Sequence, residues 1–200
     1  AKGQPVYLAR YLPGLAGPYH LHSLGPLVRV TTKPTTSPPP MQKQLDNVNW
    51  GGNQISLLGL DVEPGEGDVA WRITLYWQAR VKLSESYHVR LRWRGPSGQV
   101  WWQDHGAHPV GGYNPTAAWL PGEVVADYHE IPADATIPPG LLRLDVGLFL
   151  PFRDEGLNRD GTSSPWFTLV LLEQIPSRGG SGAPLANQMR ASFGDDLLIT

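Results

Sequence analysis

The sequence predicts an all-β chain: an antiparallel β-sandwich, Ig-like or jelly-roll-like, with a small two-strand preamble at its N-terminal side. Three observations carry this. Glycine (23) and proline (20) stand well above the roughly 24 expected together in 200 average residues, and both break helices. Charged residues make up 17% of the chain against a usual ~25%, which argues against helices laced by ion pairs. Apolar and polar residues alternate with a period of two in one segment after another, as strands with one buried face require. At 40% hydrophobic residues, with eight tryptophans, the chain carries enough apolar bulk for a core, so wholesale disorder is excluded.

Taken in order, residues 1–33 read as the end of a preceding soluble segment. Two stretches, 5–10 and 26–32, are β-prone, and the Pro- and Gly-rich stretch between them must turn. Two strands cannot bury enough surface to stand alone, so this piece is expected to dock on something larger. In the same stretch His20 and His22 flank Leu21 at strand spacing, and both are expected to face water. Residues 34–44, with four prolines between Pro34 and Pro40, read as an extended, semi-rigid linker.

Residues 45–176 carry the sandwich. The strongest strand is 69–80, where Val69, Trp71, Ile73, Leu75, Trp77 and Ala79 share one face. Residues 87–94 and 141–149 repeat the pattern, and these three strands are expected to pair antiparallel at the centre. Weaker strands are predicted at 54–62, 99–103, 123–131 and 166–174, with Gly/Pro turns between them, such as Leu120-Pro121-Gly122 and Ile137-Pro138-Pro139-Gly140. Residues 104–119 form a long loop, a common place for function on a β scaffold. Residues 177–191 begin as a Gly/Ser linker. Residues 192–200 repeat the pattern of 49–58, an aromatic residue and glycine followed by alternating apolars, and read as the first strand of a second, truncated module.

Several function classes are disfavoured. A net charge of -2 supplies no global field for nucleic acid, so none is expected as a partner. With no cysteine there is neither a disulfide framework nor a thiolate metal site. No apolar run approaches the 18 residues of a membrane span, and Ala1–Arg10 shows no leader pattern; the chain reads as a piece of something longer, with room for a signal or membrane segment upstream. His105 and His108, three apart with Asp104 beside them, are spaced like metal ligands, but nothing in the sequence brings Asp127 or His129 to them as a further donor; they are read as ordinary loop residues, and no metal or cofactor is expected. Asp61, Glu63, Asp104, Glu123 and Asp127 could supply the carboxylate pair of a glycan hydrolase, yet none sits in a distinctive motif. No catalytic residue is therefore assigned.

Aromatic residues give the binding expectation. Trp71, Trp77 and Trp93 lie on apolar faces and belong to the core. Trp101 and Trp102 are neighbours in a strand, so one ring should face out; Tyr76 also falls on an outward face. A glycan-contacting site is expected from Trp101, Trp102, Gln103, Asp104, Tyr113 and Trp119, rings stacking on a sugar's C–H face and polar groups meeting its hydroxyls. Arg90, Arg92 and Arg94 alternate on one outer face, with Arg72 expected on a neighbouring strand. They are read as a solvated face with cross-strand partners such as Asp145; the sharper alternative is a patch for an anionic glycan, a lipid phosphate or an acidic protein.

One set of motifs resembles a known family. It runs through Leu57-Leu58-Gly59-Leu60-Asp61, Ile73-Thr74-Leu75-Tyr76-Trp77-Gln78-Ala79, Tyr113-Asn114-Pro115-Thr116, Trp119-Leu120-Pro121-Gly122-Glu123 and Leu144-Asp145-Val146-Gly147-Leu148-Phe149. Together these resemble the soluble β-sandwich modules that follow the membrane part of bacterial dolichyl-phosphate-mannose mannosyltransferase-like membrane glycosyltransferases. His129, where the pattern has tyrosine, and the loop 152–164 depart from it. The resemblance implies a non-catalytic, extracytoplasmic accessory module, tethered by the membrane portion of the same polypeptide. It would contact glycan acceptor or product, or a polyprenyl-linked sugar, or serve as a spacer, and tandem modules agree with a repeat after residue 192. The family's catalytic acids lie in its membrane portion, so none transfers to this chain. The alternatives from other classes are a stand-alone glycan-active hydrolase or metal-dependent enzyme using 104–127, and a protein-interaction module.

Overall fold

A computed structural model describes residues 6–8, 19–132, 140–174 and 189–192. The described part is almost wholly β. Its strands are β1 (Val6–Leu8), β2 (His20–Leu24), β3 (Leu27–Thr31), β4 (Lys43–Trp50), β5 (Ile55–Pro64), β6 (Val69–Ala79), β7 (His88–Arg94), β8 (Val100–Gln103), β9 (Val124–Pro132), β10 (Gly140–Phe149), β11 (Trp166–Gln174) and β12 (Met189–Ser192). One 3-10 turn, Thr116–Ala118, interrupts the long loop.

Two antiparallel sheets form the sandwich, one ordered β4-β5-β6-β9 and the other β12-β11-β10-β7-β8. Their inward rows make one hydrophobic core. Leu57, Ile73, Leu75, Trp77, Val125 and Ile131 from the first sheet meet Val89, Leu91, Trp93, Leu144, Val146 and Leu148 from the second. Trp50 bridges the layers. It is fully buried, its ring packs 5.5 Å from Trp77 and edge-on to Phe167 of the facing sheet, and its indole N–H donates to the Pro165 carbonyl at 2.7 Å.

The strands at 69–80, 87–94 and 141–149 occur as the alternation predicts, and Trp71, Trp77 and Trp93 are buried. Their expected pairing is only half correct. β7 pairs antiparallel with β10, from Arg94↔Arg143 to His88↔Phe149, whereas β6 pairs with β5 and β9. After β6 the chain crosses to the other sheet, so Arg72 lies on a different layer from Arg90, Arg92 and Arg94. An alternating pattern fixes which face of a strand is buried but not which strand lies beside it.

The preamble is a three-stranded sheet ordered β1-β3-β2, not a two-stranded piece. The unexpected strand is β2, which forms a hairpin with β3 from His20↔Thr31 to Leu24↔Leu27. This small sheet docks on the sandwich. His20 Nδ1 lies 2.8 Å from the buried Glu123 carboxylate, and the Asn114 amide donates to the Leu21 carbonyl at 2.9 Å. His22 is buried, with Nε2 3.3 Å from the Thr35 hydroxyl. Neither histidine faces water, because β2 lies against β9.

The Pro-rich segment is anchored as well. The Val124 N–H donates to the Thr35 carbonyl at 2.7 Å, while Pro38, Pro39 and Pro40 stay exposed. Its last residues belong to β4, which begins at Lys43 and pairs with β5 across a β-bulge. At the far side, Met189–Ser192 spans the end of the stretch read as a linker and the first residue of the repeat-like one, yet it extends the five-stranded sheet by pairing with β11. Residues 177–182 and the repeat-like 193–200 lie outside the described residues, as do 133–139 with the Ile137-Pro138-Pro139 turn.

Candidate functional site

The aromatic and polar residues expected to share one site separate in the fold. β8 is the edge strand of the five-stranded sheet, and Arg92↔Gln103, Trp93↔Trp102 and Arg94↔Val100 are its register partners. One residue too many separates Val100 from Trp102, so Trp101 sits in a β-bulge. Trp102 packs against the core, while Trp101 is 38% exposed, the one exposed tryptophan among the described residues. Gln103 is exposed beside Arg92.

The other three leave the site. Trp119 is 1% exposed, drawn from the long loop into the core, so it offers no platform for a ligand. Tyr113 is half-buried against the core and lines a small cleft between the small sheet and the long loop. Asp104 turns back on its own strand end. Its Oδ1 accepts from the Leu91 N–H at 3.0 Å and from the Gly106 N–H at 3.1 Å. Burial pushes its carboxyl above the usual range, with those two N–H groups and nearby His129 and Arg90 opposing. Tyr76 is buried too: its hydroxyl donates to Asp61 Oδ2 at 2.6 Å, and desolvation together with that carboxylate raises its pKa.

The long loop is held by a second buried carboxylate. Asp127 is fully buried; its Oδ1 accepts the Val110 N–H at 2.7 Å, and His129 Nε2 lies 2.7 Å from its Oδ2. Val110 is β-branched, buried and has φ of 60°, a left-handed conformation costing such a residue about 1–2 kcal/mol. The Asp127 hydrogen bond holds it there. Burial lowers the pKa of His129, but the Asp127 charge and hydrogen bond, with help from Asp104, outweigh it and leave a net rise. His108 packs edge-on against His88 at 4.5 Å and His105 is exposed. Among the described residues no three His, Cys, Asp or Glu side chains are grouped as metal ligands.

The outer face of the five-stranded sheet is built around Asp145, the cross-strand partner expected for the arginine row. Fully buried Asp145 on β10 accepts from Arg92 Nε at 3.0 Å, from Arg94 Nη2 at 3.2 Å and Arg94 Nε, and from the Thr168 hydroxyl at 2.8 Å. The pairing with Asp145 raises Arg94 further above its already high range, against burial. The Arg92 guanidinium lies 3.9 Å over the Trp166 ring, and that of Arg90 lies 4.6 Å over Phe149. The arginine row was legible from its spacing, but nothing in the sequence places Trp166 under Arg92.

No family model, curated protein or solved structure matches this chain.

The docking histidines make a pH prediction. Burial lowers the pKa of His22; Glu123 pulls it up, while Arg29 and His20 push it further down. Its folded pKa thus lies below its unfolded value of ~6.5, so the unfolded chain takes up the proton more readily. The His22 contribution is complete above that value and is lost as pH falls towards the folded pKa. His129, with a raised pKa, has the opposite sign: its contribution is complete below ~6.5 and is lost as pH rises through the folded value. Thermal melts between pH 7 and 5 should fall more steeply for the parent protein than for His22→Gln. Parallel slopes would remove His22 from the acid response.

Proposed function

We propose that this chain is a non-catalytic accessory module of a membrane glycosyltransferase, held on the extracytoplasmic side by the membrane portion of the same polypeptide, and that it contacts glycan along β8. The motif resemblance supports the setting. The observation that carries the contact is the Trp101 bulge: an indole 38% exposed on a sheet edge, with Gln103 exposed two residues on and Arg92 across the strand. A bulge on an edge strand re-aims a side chain that strict alternation would bury or pair. A flat ring fixed by the backbone offers apolar area to a sugar ring at small entropic cost.

The buried carboxylates support a non-catalytic reading. Glu123 holds His20 and the Leu120 N–H, Asp127 holds Val110 and His129, and Asp145 holds two arginines and Thr168. Each is committed to a contact that maintains the fold.

Titration with oligosaccharides, followed through the tryptophan indole N–H signals, tests this reading. Binding on the order of 0.1–1 mM is expected, since an open site recovers few desolvated contacts. The Trp101 signal should move, and Trp101→Ala should abolish the isotherm while leaving the melting temperature nearly unchanged. If no indole signal shifts at millimolar sugar, the glycan contact is wrong and a spacer role replaces it.

A further inference from the structure

The sequence of β7 alternates arginine with Val89, Leu91 and Trp93, so burying the apolar row places Arg90, Arg92 and Arg94 together on the outside of the sheet. Their charges are not balanced there. One buried carboxylate, Asp145, serves both Arg92 and Arg94. Arg143, the register partner of Arg94 on β10, therefore shares its face, and its side chain has no hydrogen-bond or ionic partner among the described side chains. Among the described side chains, the three guanidinium groups of Arg92, Arg94 and Arg143 thus face the one carboxylate of Asp145, in a chain whose net charge is -2. Arg90 closes the row at the other end: its Nη1 meets Asp154 at 3.0 Å and its Nη2 donates to the Arg153 carbonyl at 2.8 Å.

Arg92 is the group left open. Its Nε is taken by Asp145 and its plane rests on Trp166, so the side chain is held in one place. Both of its terminal nitrogens lack hydrogen-bond partners among the described residues, and the side chain stays 19% exposed, with Arg94 at 22%. A planar guanidinium fixed along one edge, with free N–H groups on the other, matches a carboxylate or sulfate oxygen pair. Fixing it in advance removes the ordering cost that a free arginine would add on binding. Across the strand lies Gln103, and next to it the Trp101 bulge.

We infer that this face of β7, β8 and β10 takes an acidic oligosaccharide, with a carboxylate- or sulfate-bearing sugar unit on Arg92 and Arg94 and a neighbouring sugar ring against Trp101. This rests on the proposed glycan contact at β8 and names its ligand class. The contact is charge-assisted and half open to water, so salt weakens it.

The test titrates the whole chain with a galacturonic acid tetramer, the same tetramer as its neutral methyl ester, and inorganic phosphate. The acid should bind about tenfold or more tightly than the ester, the size of one charged hydrogen-bonding group. Arg92→Gln should remove that difference, and Arg72→Gln, on the other sheet, should change nothing. Because the ester alters the ligand and not the protein, this comparison survives even if Arg92→Gln folds poorly. Equal affinity for acid and ester overturns the acidic ligand class while leaving the glycan contact standing. Failure of both sugars to bind overturns the glycan contact, and this inference with it. Phosphate binding as tight as the acidic tetramer overturns it too, by showing a bare anion site.

Discussion

Trp77→Ala should lower the stability of this protein by about 3–5 kcal/mol, the cost of deleting a large buried ring and leaving a cavity. Trp77 lies in β6, an interior strand of its sheet, opposite Leu57 on one side and Val125 on the other. It is fully buried and its ring packs against Trp50. The indole N–H of Trp77 has no partner among the described residues, so the loss is mainly one of packing. Trp50 cannot slide in to fill the space, because its own indole N–H is fixed to the Pro165 carbonyl. Against a typical total of about 5–15 kcal/mol, such a loss leaves little or no folded margin at 37 °C. Urea unfolding should show a large drop in midpoint, with Trp101→Ala as the control that shows almost none. An unchanged midpoint in Trp77→Ala would contradict the register of β6 between β5 and β9.

Asp145→Ala is expected to be nearly as damaging, at about 2–4 kcal/mol. Asp145 is a fully buried carboxylate that accepts from two arginines and a threonine. Removing it strands two positive charges side by side, with a hydroxyl that has lost its acceptor. The arginines are about one-fifth exposed, so water recovers part of the loss and keeps it below the cost of a fully enclosed pair. Asp145→Asn keeps the shape and one acceptor oxygen, but turns an amide donor towards the guanidinium groups, so its cost should be smaller and still measurable. Denaturant midpoints of the two variants should fall in that order. If Asp145→Ala melts with the parent protein, the outer-face network contributes nothing to stability.

The strands that could be read directly are those whose alternation runs unbroken. Every second residue from Trp71 to Ala79 is buried, and the same holds for Val89, Leu91 and Trp93 and for Leu142 to Leu148. β4 escaped because a bulge between Gln44 and Val48 breaks its period, and its residues are mostly polar. Trp101 and Trp102 divide as neighbours in a strand should, one ring out and one towards the core, although a bulge interrupts their register. Trp119 and Tyr76 show a different limit. Periodicity reports which way a side chain points, while burial depends on what another part of the chain lays over it. Trp119 is taken into the core from a loop, and Tyr76 is tied down by Asp61. Asp104 has the residue type of a ligand group, but its nearest donors are backbone N–H groups, which no side-chain pattern announces.

The docking of the small sheet also decides how the protein carries mechanical load. A pull transmitted from the N-terminal side reaches the β1–β3 ladder before anything else. Next in line are the His20–Glu123 pair, the Asn114–Leu21 hydrogen bond and the Thr35 carbonyl on β9. Only when these have let go does tension arrive at β4, the outermost strand of its sheet and the easiest to unzip. The three contacts tie this segment to the long loop and to the start of β9. Along this path the small sheet takes up load before the edge of the sandwich does.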